Sequence, residues 1–383
     1  MQTNEITLLC KVVDNFGDIG VVYRLARAIS DIDSTIQLNI ICSDLQSFAA
    51  MNSAVDKNKM LQIIEYNGAR WTIIDWNITI PRLIELNGFL PDFGVILECF
   101  QCGRPDFLED ILFDKNNTKL YRIINVEYLT AEDYAEEFHC LKSGTRSALV
   151  KKVNFMPGFT AKTGGMILDS SFMNCLSKAK QSSKNADEFT VTLFSYERDF
   201  TAVFKALIEF QALIQQKNPD FKVKVLAADG KSLPYAKKAQ EATGSKLEFT
   251  ALPFMAQGEW DALLCRSDFN FIRGEDSLSR ACLCSKPFFW HAYVQEDNYQ
   301  LVKVEAVLNK LVPYISDEKL GQNLRRQWFN YNTPDKEPDS GDLVEIFLAS
   351  YEGKLTADFS HFSKDLLLNG NLAMNLLNYI KSL

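Results

Sequence analysis

Short runs rich in Ile, Val and Phe alternate along this chain with longer segments of helical period, and that alternation leaves little room for anything but parallel sheets covered by helices. In the first half the strand-like runs fall at residues 6–13, 37–42, 61–66, 95–99 and 121–126, and the spacing predicts an amphipathic helix over 21–30. The stretch LSKAKQSSKNADE at 176–188 lacks aromatic and strand-forming residues and reads as a linker. Beyond it the pattern restarts, with strands expected at 189–196, 221–227, 247–252, 269–272 and 287–291. Helices are expected at 201–216, 260–266, 278–284, 343–351 and 362–383, with a surface loop at 333–342. The class is α/β. At 383 residues the chain suits two domains rather than one. The boundaries expected are 1–180 and 188–355, followed by a carboxyl-terminal helical segment, 356–383, that packs back on the first domain.

Charge and cysteine usage narrow the function. Forty-one Lys+Arg against 49 Asp+Glu give a net charge of -8, which repels a phosphate backbone, so nucleic acid is not expected as a partner. No apolar run approaches the roughly 18 residues a bilayer span needs. The opening MQTNEITLLCKVVDNFGD lacks a basic n-region, so a cytoplasmic protein without a membrane partner is expected. Nine cysteines without an export signal point to reduced thiols. Cys99 and Cys102 form a CxxC and Cys282 and Cys284 a CxC, but none of His139, His291 and His361 sits at ligand spacing from them. Buried, inert thiols are expected there, with no metal and no cofactor.

Two loops carry chemistry. In KVVDNFGDIGVVYRLARAI (11–29) a buried strand ends at Val13, a loop runs from Asp14 to Gly20, and a helix follows from about Val21. This is the carboxyl edge of a parallel strand, where α/β proteins bind ligands. Gly17 and Gly20 permit close backbone approach, while Asp14 and Asp18 serve to hold a cationic group between them, to act as a base, or simply to cap a βα turn. In FNFIRGEDSLSRACLCSKPFFWHAYVQED (269–297) an apolar strand runs into Arg273, Gly274, Glu275, Asp276 and Ser277, with Ser277 near a helix N-cap. An arginine beside a helix amino terminus suits a diphosphate. The alternative is that Arg273 pairs with Glu275 or Asp276 and Ser277 merely caps.

With these loops in view, seven segments resemble the bacterial protein-arginine rhamnosyltransferases that modify elongation factor P. They are VVDNFGDIGVVYRLAR, INVEYLTAEDY, FMPGFTAKTGG, LFSYE, LPFMAQGEWD, NFIRGEDSLSRA and PFFWHAYVQED, in family order across both domains. The resemblance implies a GT-B fold, two Rossmann-like domains facing each other across a cleft, the first binding the acceptor and the second the nucleotide sugar. The implied donor is dTDP-β-L-rhamnose and the implied acceptor one arginine of elongation factor P, which is thereby activated to rescue ribosomes stalled at polyproline. The product would be an α-rhamnosyl-arginine formed with inversion and without a metal.

The same resemblance places Asp18 as general base, with Asp14 and Glu275 as further catalytic carboxylates. Asn15, Phe16 and Gly17 match a loop that closes on the sugar. Phe194, Tyr196, Phe254, Gln257 and the run Arg273 to Ser277 match donor-binding positions. The chemistry agrees: thymine calls for aromatic faces and an amide, and a diphosphate for a guanidinium and helix amides. Without the resemblance, Phe194 and Phe254 read as ordinary core at strand ends. Val22 and Tyr23 stand where the family pattern has Cys and Trp, and ECFQC around Cys99 also diverges. Two competing expectations are a GT-B glycosyltransferase with a small-molecule or sugar acceptor, and a non-catalytic nucleotide-sugar sensor.

Overall fold

The structure, a computed structural model, describes residues 4–13, 15–181 and 185–383. The chain divides into two compact units, Met1–Ser170 with Asn369–Leu383, and Ser171–Leu368.

The first unit holds eight strands: β1 (Glu5–Cys10), β2 (Gln37–Cys42), β3 (Leu61–Tyr66), β4 (Ala69–Asp75), β5 (Val95–Cys99), β6 (Tyr121–Val126), β7 (Lys142–Ser143) and β8 (Val150–Phe155). They lie in the order β3-β4-β2-β1-β5-β6-β8-β7, parallel except for β3 and β7. The central strands are buried on both faces, as a sheet covered on both sides requires. Sequence reading missed β4, β7 and β8. The dipeptide Asn67–Gly68, with φ of 49° and 82°, closes the β3–β4 hairpin, as residues that accept positive φ do in such turns.

One face of this sheet packs Ile19, Val22, Ala26 and Ile29 of the helix Asn15–Ile32. The same core takes Leu372, Ala373, Leu376, Leu377 and Ile380 of the final helix, Leu372–Ser382. The single helix expected at 362–383 is therefore two helices. Gly370, at φ +95°, breaks the run, and the Asn371 side chain accepts from the Ala373 amide to start the last helix. The preceding helix, Lys354–Leu368, belongs to the second unit.

The second unit is built on β9 (Glu188–Leu193), β10 (Lys222–Ala228), β11 (Glu248–Leu252), β12 (Phe269–Arg273) and β13 (Phe288–His291). All are parallel, in the order β11-β10-β9-β12-β13. The chain passes from one unit to the other at Ser170–Ser171, ahead of the polar stretch at 176–188. The start of that stretch completes the helix Ser170–Gln181, whose Phe172 and Leu176 are buried. Two well-spaced apolar residues are enough to seat a helix that its polar composition hid. No described helix is long and apolar enough to cross a membrane.

Candidate functional site

In the first unit the candidate residues gather where β1, a central strand, leaves the sheet. The helix begins at Asn15, not near Val21, so Phe16, Gly17, Asp18 and Gly20 are helical rather than looped. Ile19 and Val22 extend the apolar stripe into the first turns, and Asp18 suits the positive end of the helix dipole. Packing thus outweighs the roughly 1 kcal/mol that each glycine costs a helix. Asp14 lies outside the described residues.

The Asp18 carboxylate is 3% exposed and held at both oxygens. The Val13 amide donates to Oδ2 at 2.8 Å, and the Tyr128 hydroxyl donates to Oδ1 at 2.6 Å. Tyr128 lies just past β6 and reaches Asp18 across a separation of 110 residues. Spacing could not reveal that partner, although the segment containing it was among those that carried the resemblance. Such an anchored carboxylate can hold a cation or accept a proton, with its orientation set in advance.

In the second unit the site forms where β12 leaves the sheet. Gly274, at φ 72°, makes the turn from Arg273 into the helix Glu275–Leu283, and this conformation is strained for any residue with a Cβ. The helix cap is therefore Gly274, and Ser277 is a buried residue inside the first turn, not the expected cap.

The Arg273 guanidinium carbon lies 4.6 Å from the centre of the Phe194 ring and 4.7 Å from that of Tyr196. Among the described residues Arg273 forms no ion pair, and its buried Nε has no hydrogen-bond partner, so the expected alternative of a pair with Glu275 or Asp276 does not occur. Glu275 instead lies 4.0 Å from the Lys303 ammonium. Gly230, at φ +137°, passes so close that a Cβ there would stand 3.6 Å from Phe194 and 3.9 Å from Arg273.

Phe194 meets Trp260 edge-on at 5.1 Å, and the Trp260 indole donates to the Ser277 hydroxyl at 3.3 Å. Trp260 belongs to the helix Gln257–Arg266, so Gln257 opens an element tied to the same cluster. Phe254 precedes that helix and is 55% exposed, so it is not the core residue that its place at a strand end suggested. Phe194 is half-buried at the exit of β9 rather than a core residue. Phe194, Tyr196, Arg273, Trp260 and Ser277 thus form one cluster, and Glu275 and Asp276 lie in the first turn of the helix that carries Ser277. Asp18 belongs to the other unit.

Behind Tyr196 stands a buried polar chain that sequence reading missed. His291 packs on Tyr196 at 5.4 Å, its Nδ1 lies 2.8 Å from the Ser195 hydroxyl, and that hydroxyl lies 2.8 Å from the Tyr331 hydroxyl. Burial pushes His291 down to about 3, with Arg198 and Arg273 adding to the fall, so the ring is neutral. Burial raises the Tyr331 phenol to about 12. Burial likewise raises the thiols of Cys99 and Cys282 and lifts that of Cys102 to about 11.

A family model described as "Elongation-Factor P (EF-P) rhamnosyltransferase EarP" matches residues 6–381. The chain is 32% identical over 342 residues to a protein-arginine rhamnosyltransferase of Shewanella oneidensis, covering 81% of this chain and 82% of that one. It is 27% identical over 347 residues to its Pseudomonas aeruginosa counterpart, covering 85% and 86%. Among solved structures it is similar to one described as the basis for EarP-mediated arginine glycosylation of translation elongation factor EF-P, with a TM-score of 0.59 at 19% identity over 99% of both chains. Arabidopsis thaliana UGT89C1 complexed with UDP-L-rhamnose gives a TM-score of 0.53 at 9% identity, covering 100% of this chain and 99% of that one. These likenesses, with the two α/β units, identify the fold as GT-B.

Proposed function

The chain belongs to the EarP family of elongation factor P rhamnosyltransferases and is a glycosyltransferase of that family; from that premise we propose that it moves L-rhamnose from dTDP-β-L-rhamnose to one arginine of elongation factor P, with inversion, in the bacterial cytoplasm. The observation that carries the reading is Arg273, a cation between two aromatic faces with no protein anion paired to it among the described residues. A diphosphate is the complement such a group calls for, since the guanidinium and the amino-terminal end of the helix Glu275–Leu283 attract the same charge. The second unit is therefore the donor-binding domain. Phe194, Phe254 and Gln257 take the thymine, while Tyr196, Gly274, Asp276 and Ser277 line the diphosphate and sugar.

The first unit binds the acceptor. A guanidinium has a pKa above about 12 and a delocalised nitrogen lone pair, so no carboxylate deprotonates it beforehand. Asp18, with Asp14, orients the guanidinium and weakens that delocalisation. The nitrogen then forms its bond to the anomeric carbon as the bond from that carbon to the diphosphate oxygen breaks, and the nitrogen proton passes to the Asp18 carboxylate. The electron pair leaves with dTDP, whose charge Arg273 and the helix amides stabilise, in the place a divalent cation would otherwise take. Asn15, Phe16 and Gly17, on the first turn beside Asp18, border the sugar. Lys303, close to Glu275, limits the repulsion between that carboxylate and the diphosphate.

The test is transfer of labelled rhamnose from dTDP-β-L-rhamnose to elongation factor P, followed by NMR of the modified arginine. An α-linked product is expected. A β-linked product would overturn inversion, and label on no arginine would overturn the acceptor.

A further inference from the structure

The loop after β5 is held in a costly shape. Phe100 and Gln101, consecutive and neither of them glycine, both have positive φ, 61° and 51°. Each such residue costs on the order of 1 kcal/mol, and such strain persists only where the surroundings impose it. Here they do so through a small clamp. The Gln101 amide donates to Asn125 Oδ1 at 3.1 Å, the Asn125 side-chain amide donates to Glu127 Oε1 at 2.6 Å, and the Gln101 side chain donates to the same oxygen. The Phe100 amide donates to the Val126 carbonyl at 2.8 Å.

The conformation so enforced lays the Phe100 ring flat on Tyr128, with centroids 4.0 Å apart and planes 9° apart. Tyr128 is the residue whose hydroxyl holds Asp18 Oδ1, while the Val13 amide holds Oδ2. Two donors at two oxygens fix the plane of the carboxylate, and with it the direction from which a planar guanidinium can make a two-point contact.

We infer that Tyr128 is a positioning residue for Asp18, and that the strained Phe100–Gln101 turn is the device that holds its ring in place. The inference rests on the reading of Asp18 as the group that receives the acceptor's proton. Tyr128 itself takes no proton and forms no bond to substrate. It sets the angle of the carboxylate, so its loss costs turnover rather than binding.

The experiment is steady-state kinetics of the full chain with elongation factor P and dTDP-β-L-rhamnose, comparing wild type with Tyr128→Phe and Phe100→Leu. Tyr128→Phe keeps the ring stack and removes only the hydroxyl. Its kcat is expected to fall about tenfold or more, while KM for elongation factor P and Kd for dTDP stay within about twofold and the melting temperature is unmoved. Phe100→Leu frees the ring and is expected to lower kcat in the same pattern by a smaller factor. A Tyr128→Phe enzyme with wild-type kcat would overturn the inference, as would kcat, KM and melting temperature failing together, the mark of a merely structural role. A wild type that leaves elongation factor P unmodified would overturn the reading of the acceptor, and the inference with it.

Discussion

Arg273 is a planar cation between two rings, a setting that a lysine ammonium does not reproduce. Arg273→Lys keeps the charge, yet it is expected to weaken dTDP binding by about tenfold or more in calorimetry, because the stacked fork that meets the diphosphate is lost. Binding at wild-type strength would remove Arg273 from the donor site. His291 makes a prediction about pH. Its folded value is depressed, chiefly by burial, from 6.5 to about 3, so below about pH 6.5 the unfolded chain takes a proton that the folded chain refuses. Stability is then lost as pH falls from about 6.5 towards 3, by up to about 1.4 kcal/mol per pH unit for this group. Urea unfolding of His291→Gln is expected to show a flatter pH dependence over that window, and parallel curves would refute the assignment. The turn at Arg273 and Gly274 was legible because a strand end, a glycine and a helix start are local. Tyr128, Trp260 and His291 were not, because each acts on a residue far along the chain: Tyr128 on Asp18, Trp260 on Ser277, His291 on Ser195.

The helix Asn15–Ile32 does more than present Asp18. Arg24 and Arg27 lie 3.7 Å and 3.3 Å from the buried Asp169 carboxylate, so the helix fixes the end of the first unit just before the chain crosses at Ser170–Ser171. Removing one partner of a buried ion pair leaves charge without compensation. Asp169→Ala is expected to destabilise the protein by about 3 kcal/mol in urea unfolding, and a loss below about 1 kcal/mol would show that the guanidiniums are held by other means. Most strands were legible as elements: β2, β3, β5 and β6 fall on their apolar runs. The start of this helix was not, since Gly17, Gly20 and the acidic residues read as a loop until tertiary packing of Ile19 and Val22 is taken into account. The helix Ser170–Gln181 was not legible either, because the polar run from residue 176 hid the buried Leu176.

At the scale of the whole molecule the chain leaves its first unit and returns to it, and the last helix completes a core begun by β1. Ending the chain at Leu368 would strip Leu372, Leu376, Leu377 and Ile380 from that core. At roughly 1.5–3 kcal/mol for each buried side chain, the loss rivals the whole stability of a domain. Scanning calorimetry of this truncation is expected to show the first unit's transition lowered or absent, with a transition raised by dTDP still present. A truncation that unfolds at the wild-type temperature would contradict the division. The two-domain α/β class was open to sequence reading because the apolar runs stop and restart. The return of the final helix was expected, but its break at Gly370 was not, since the helical period on either side hid it.

The central claim is that a carboxylate-anchored first unit and an arginine-centred second unit together move rhamnose onto a protein arginine. It is tested most directly by intact-mass and peptide mass spectrometry of elongation factor P after incubation with this protein and dTDP-β-L-rhamnose, beside an Asp18→Asn control. The account predicts one added deoxyhexose on a single arginine with the wild-type protein, and a rate lower by about a hundredfold or more with the variant. An acceptor left unmodified by the wild type, or modified equally well by Asp18→Asn, would contradict it.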